Sequence, residues 1–190
     1  MVVKTAIETS KYIHTSTNNT WRTKDNMTFT ILLLFFIVRL YSLKISINHT
    51  QQLIQKGAKE YGAQNSKYLA LNHILIYVGA AVEALINKDS FSLFNGLGLV
   101  LLIAGYAVLF HVIKALGSIW TLKLFILPEH PIVKSGLYKI TKHPNYYLNI
   151  VPELIGVLLL THATYTSVLL LPYAYFLYTR IVQEEKMMNL

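Results

Sequence analysis

Five apolar runs, at residues 28–43, 68–86, 91–116, 147–161 and 167–178, constrain this chain more than any other feature of it. Hydrophobic residues make up 54% of the sequence and charged ones only 14%, where a soluble domain carries about 25% charged. Such runs need lipid around them. The third run is the clearest membrane span, since crossing a bilayer core takes about 20 residues. The first is shorter and carries Arg39, which is expected to snorkel to the interface. The polar stretch 44–67 reads as an interfacial helix ended by glycine. The fourth and fifth runs are interrupted by Pro152-Glu153 and by Pro172, and only residues 161–166 separate them. So short a connection predicts an antiparallel helical hairpin. The expected fold class is an all-α integral membrane helical bundle of about five transmembrane helices with a C-terminal hairpin.

Residues 1–26 are polar and show no periodicity, so they are expected to be a disordered tail. Met27 opens the first run and is a candidate true start. The domain is expected to occupy residues 27–190. Placing 44–67, 114–142 and the C-terminus on one side of the membrane collects eleven of the seventeen basic residues there. The bias of Lys and Arg toward the cytoplasm then makes that side cytoplasmic. The same bias accounts for the net charge of +8 without nucleic acid, as does the scarcity of arginine, of which there are three. With no cysteine there is no thiolate site, and no His/carboxylate pair has zinc spacing, so no metal is expected.

Two polar clusters flank this membrane-grade sequence. In His130-Pro131-Ile132-Val133-Lys134-Ser135-Gly136-Leu137-Tyr138 and Lys142-His143-Pro144-Asn145-Tyr146, proline and glycine keep the backbone irregular. Backbone amides and carbonyls that a helix would consume stay free, and such a backbone survives at membrane depth only around a cavity. His143 precedes Pro144 at the start of run four, where helix N-terminal amides favour anions. A basic loop capping a helix would look the same. Arg180 and Glu184 lie four apart, on one helix face. They could form an i,i+4 ion pair worth about 0.2–0.5 kcal/mol. Alternatively they divide roles, with Arg180 clamping an anion and Glu184 accepting from an amine or a ribose hydroxyl. Asn72, His73 and Glu83 are polar residues inside run two and are functional candidates on that ground, although helix–helix hydrogen bonding suits Asn72 better.

The pattern His130-x-Ile132-Val133-x-x-Gly136-x-Tyr138, then Lys142-His143-Pro144-x-Tyr146, then Arg180-x-x-x-Glu184-Glu185 resembles the isoprenylcysteine carboxyl methyltransferase family. Gly117-Ser118-Ile119-Trp120-Thr121-Leu122-Lys123, Arg39-Leu40 and Gly57-Ala58-Lys59-Glu60-Tyr61 look like its bacterial YpbQ-like branch. The resemblance implies a membrane enzyme that uses S-adenosyl-L-methionine, with its cofactor site mainly in residues 117–190. Carried over by position, the cofactor contacts would be His130, Pro131, Ile132, Val133, Tyr138, Lys142, His143, Pro144, Asn145 and Glu184. Arg180 would face the acceptor carboxylate as the catalytic residue. Two positions depart from the family pattern. Lys142 stands where an arginine is common, which removes a bidentate fork. Asn145 fits the YpbQ-like branch and some membrane sterol reductases.

The function this implies is O-methylation of a C-terminal S-isoprenylcysteine carboxylate, or of a similar lipophilic acidic acceptor such as an alkylpyrone hydroxyl. The acceptor would enter from the bilayer and the cofactor from the cytoplasm. The alternatives are an NADPH-dependent membrane sterol-type reductase, suggested by the His-Pro-Asn-Tyr step, and a non-catalytic membrane scaffold.

Overall fold

The computed structural model describes residues 27–87, 91–128, 131, 133 and 135–188. The expectation of a disordered tail over 1–26 lies outside the described residues, as do two expected cofactor contacts, His130 and Ile132. Helix α1 (Val2–Gln55), with side chains described from Met27, is followed by strand β1 (Lys59–Tyr61), α2 (Ala63–Ile86) and α3 (Leu93–Leu116). Strand β2 (Leu124–Ile126), α4 (Val151–Thr161) and α5 (Leu170–Met188) complete the order. Among the described residues three helices are long and apolar enough to cross a membrane, at Met27–Gln55, Ala63–Ile86 and Leu93–Ile119. Their outward faces present exposed apolar side chains such as Leu34, Ile37, Leu71, Val78, Val100 and Ile103. A bundle whose outside is this apolar is a membrane protein.

Helix α1 continues through the stretch expected to be a separate interfacial helix. No glycine or proline interrupts residues 28–55, so nothing stops the ladder until Gly57, which takes φ 82°. The polar stretch that resembles a connector is partly core: Ser46 is buried, and its Oγ accepts from the Leu122 amide at 2.9 Å.

Helices α3 and α4 pack backbone to backbone. A Cβ on Gly98 would stand 2.4 Å from the amide nitrogen of Leu160, and one on Gly156 would stand 2.8 Å from the Gly98 carbonyl oxygen. Small residues permit this approach in a bilayer, where apolar burial gives little drive for helices to associate. The two C-terminal helices run antiparallel, so that His143 before α4 meets Glu184 of α5. They pack chiefly on other helices and not on each other as a hairpin would: α4 leans on α3, and α5 on α2. Glu83 of α2 fixes the turn. Its carboxylate accepts from the Thr166 amide at 2.7 Å and the Tyr165 amide at 3.1 Å, satisfying donors that a helix start leaves free. Asn72 ties the same helices, donating to the Leu169 carbonyl at 3.2 Å.

The bundle centre holds a polar cluster. Glu153 is fully buried and lies 3.4 Å from Arg39 Nη1 and 3.4 Å from His73 Nε2. Tyr77 and Tyr106 donate to the same carboxylate at 2.8 and 3.1 Å. Arg39 therefore does not snorkel. It turns inward because a carboxylate from α4 waits there, and an ion in this setting needs a partner more than it needs the interface.

Candidate active site

The bundle end built by the polar clusters contains a cavity of about 350 Å³. Its apolar wall comes from the end of α3 and from β2: Leu116, Ile119, Trp120, Leu124 and Phe125. Strand β2 is held in place by antiparallel pairing with β1, in the register Lys59 to Ile126, Glu60 to Phe125 and Tyr61 to Leu124. Lys123 Nζ reaches Glu60 at 3.0 Å across this ribbon. The ribbon has no counterpart in the sequence expectations, because three-residue strands are too short to show a period.

The polar wall gathers residues far apart in sequence. Pro131, Val133, Tyr138, Lys142, His143, Pro144, Asn145, Arg180 and Glu184 all line the cavity, so every described member of the expected site reaches it. A π-helical turn, Asn145–Ile150, presents the His-Pro-Asn segment. Pro152 offers no N–H to the carbonyl four residues back, and the ladder upstream of it runs in the wider register, with the Val151 amide on the Tyr146 carbonyl. Thr141 Oγ1 accepts from the His143 amide at 3.3 Å, which sets the entry into the turn.

His143 is buried, stacks on the Tyr146 ring at 5.6 Å and sits between two carboxylates. Its Nδ1 lies 3.5 Å from Glu184 and its Nε2 lies 3.2 Å from Glu185. Burial by itself pushes the imidazole down, but the hydrogen bonds and charges of Glu184 and Glu185 outweigh it, so its pKa is raised from the ordinary value. Burial likewise pushes Glu184 up, yet His143, Tyr146 and the charge of Arg180 hold it below the usual carboxylate range. Burial, with the Glu184 charge behind it, pushes the Tyr138 phenol upward.

Arg180 is 3% exposed and does not pair with Glu184 directly. Its Nη1 donates to Ser66 Oγ at 2.6 Å, its Nη2 to the Leu122 carbonyl at 3.2 Å and its Nε to the Tyr146 hydroxyl at 3.2 Å. Three of the five guanidinium N–H groups are thus used to fix the fork, and two remain to donate. Ser66 is a site residue that the sequence does not single out. Nothing about a serine at the start of a helix distinguishes it from an ordinary helix-start residue.

The cavity lining thus combines cations, carboxylates and an amide with apolar side chains. In comparison with known proteins, residues 97–190 match the model of the isoprenylcysteine carboxyl methyltransferase (ICMT) family. An uncharacterized protein of Haemophilus influenzae is 47% identical over 165 residues, covering 86% of this chain and 94% of the relative. The chain belongs to the ICMT family. Its YpbQ-like branch is represented by the uncharacterized protein YpbQ of Bacillus subtilis, 29% identical over 162 residues, which cover 84% of this chain and 95% of YpbQ. No solved structure gives a significant match. The ICMT match contains α4, α5 and the whole polar wall of the cavity.

Proposed function

We propose that this ICMT-family protein is an S-adenosyl-L-methionine-dependent membrane O-methyltransferase acting on the carboxylate of an S-isoprenylcysteine or a similar lipophilic acidic acceptor. The observation that supports this reading best is the convergence of three separated blocks, around Tyr138, His143 and Arg180, on one cavity that apolar side chains also line. When bound, S-adenosyl-L-methionine supplies a methyl group activated on a sulfonium. An ionised carboxylate is already a nucleophile toward such a methyl, so the residues have to align the partners and exclude water, and no strong base is required.

In this reading Tyr138, Lys142, His143, Pro144, Asn145 and Glu184 hold the cofactor with Pro131 and Val133, and His130 and Ile132 join them by the family pattern alone. Glu184 accepts from the amine or ribose hydroxyls, and His143, whose ring nitrogens face Glu184 and Glu185, holds that carboxylate in place. Arg180 orients the acceptor carboxylate with its two remaining donors, in a fork kept rigid by Ser66 and Tyr146. The acceptor tail lies along Leu116, Ile119 and Phe125 and leaves toward the lipid. The bias of Lys and Arg toward the cytoplasm supports a cavity on that side, where the cofactor is available.

Binding of labelled S-adenosyl-L-methionine and of NADPH to the purified protein in nanodiscs tests the reading. The expected result is binding of the first, with methyl transfer to an S-farnesylcysteine derivative or an alkylpyrone. Binding of NADPH instead would move the protein to the reductases, and binding of neither would make it a scaffold.

A further inference from the structure

Asn145 and Asn149 stand one turn apart on the π-helical segment, one half-buried at the cavity and the other without any exposure. Asn149 Nδ2 donates to Asn145 Oδ1 at 3.0 Å. That contact takes up the acceptor end of the Asn145 side chain. The donor end, Nδ2, has no partner among the described residues, and Asn145 lines the cavity. The side-chain oxygen of Asn149 is buried and likewise has no partner among the described residues.

The opposite pairing, with Asn145 donating to Asn149, would bury the Asn149 amide nitrogen and its two N–H groups without acceptors. A carbonyl oxygen left unpaired is the less costly defect. The buried member of the pair thus sets which way the cavity member faces. We infer that Asn149 is a positioning residue: by occupying the Asn145 carbonyl oxygen it presents the Asn145 N–H donors to the cavity, which selects a hydrogen-bond acceptor atom on the cofactor. This rests on the reading of the cavity as a cofactor site. The acceptor is either the carboxylate of the amino-acid portion or a nitrogen or oxygen of the nucleoside, and the two share the same need for a donor.

The decisive comparison uses the full chain in nanodiscs with labelled S-adenosyl-L-methionine. Asn149→Leu keeps the volume and removes both the donor and the unpaired carbonyl. Its melting temperature is therefore expected to hold or rise, while cofactor affinity falls about tenfold, the scale of one well-placed hydrogen bond. Asn145→Ala is expected to lose a similar amount, and adding Asn149→Leu to it is expected to cost nothing more, because one residue acts through the other. If the leucine variant does not fold, Asn149→Ala carries the same cycle. Competition with 5′-methylthioadenosine locates the acceptor. An equal loss for this probe places it on the nucleoside, and an unchanged affinity places it on the amino-acid portion. Unchanged affinity for S-adenosyl-L-methionine in Asn149→Leu, or additive losses in the double variant, would overturn the inference while leaving the cofactor reading intact. A parent protein that binds no S-adenosyl-L-methionine would overturn both.

Discussion

Arg180 and Glu184 lie one turn apart on α5, and it is the hydroxyl of Tyr146 that joins them. The Arg180 Nε donates to that oxygen at 3.2 Å, and the oxygen donates to Glu184 Oε2 at 2.5 Å. A direct ion pair would let the two side chains collapse on each other. With a phenol between them, each keeps its own position on the cavity wall, and each has groups left for a ligand. The start of α4 and the end of α5 are locked together at the point where the cavity needs both.

Removing that hydroxyl separates the roles. Tyr146→Phe leaves Arg180 Nε and Glu184 Oε2 without their partner, at a cost of about 1–3 kcal/mol in stability. The direct pair then becomes available, and methyl transfer is expected to drop further than stability does. Arg180→Lys abandons the fork held by Ser66 and the Leu122 carbonyl, so acceptor turnover is expected to fall by about 1.5–3 kcal/mol with cofactor binding retained. Glu184→Gln is expected to show the reverse, weakening the cofactor first. Initial-rate kinetics alongside equilibrium binding distinguish the patterns. Equal effects in both variants would mean that the two roles are wrongly divided.

The His143–Glu184 contact gives a pH dependence with a defined sign. His143 is raised from 6.5, so its contribution is fully present below that value and is lost as pH rises through the folded pKa. Glu184 is lowered from 4.5, so its contribution is present above that value and is lost as pH falls through the folded pKa. Both are present between these two values. The melting temperature of the purified protein should therefore decline on the alkaline side above neutrality, and His143→Gln should flatten that limb alone. A parent profile that keeps rising through the alkaline range would contradict the pairing.

Some of this is legible in the chain and some cannot be. The His143-Pro144 step shows itself because proline and glycine forbid a plain helix there, and a short turn over 161–166 must bring that step back beside Arg180. Arg39 gives the opposite impression. A lone arginine near the end of a short run looks like an interfacial residue, and its partner Glu153 lies three helices further along the chain. No local period links them. The length of α1 is hidden because Ser42, Ser46 and the glutamines look polar, although only a glycine or a proline would end the helix. Spacing points to an Arg180–Glu184 pair, and the phenol that separates them comes from a different segment.

The buried cluster should respond asymmetrically to single and double changes. Glu153→Leu leaves the Arg39 guanidinium without its carboxylate inside the bundle and is expected to cost about 3–5 kcal/mol. Arg39→Met should cost less, because Tyr77, Tyr106 and His73 still face the Glu153 carboxylate. Combining them replaces an ion pair with apolar volume and should recover most of the loss. Thermal unfolding of the four proteins in one detergent measures the coupling. Additive losses would show that Arg39 and Glu153 do not act as a pair.

The α3–α4 seam sets the position of the whole polar wall, because α4 carries the π-helical turn that presents Asn145. Gly98→Ala would bring a methyl group to 2.4 Å from the Leu160 amide nitrogen and 2.7 Å from the Gly156 carbonyl oxygen, and both are backbone atoms with no rotamer to yield. The helices must then separate, at a cost of about 1–3 kcal/mol. A Cβ on Gly96, which faces away from the seam, would meet nothing within 4 Å, so Gly96→Ala should be neutral or slightly stabilising through helix propensity. The two alanine variants differ by two positions in the same helix, so a shared effect of composition cancels between them. Cofactor affinity in Gly98→Ala should fall along with the melting temperature, since moving α4 moves Asn145 and His143 together. A variant that melts early yet binds normally would show that the cavity does not depend on this seam.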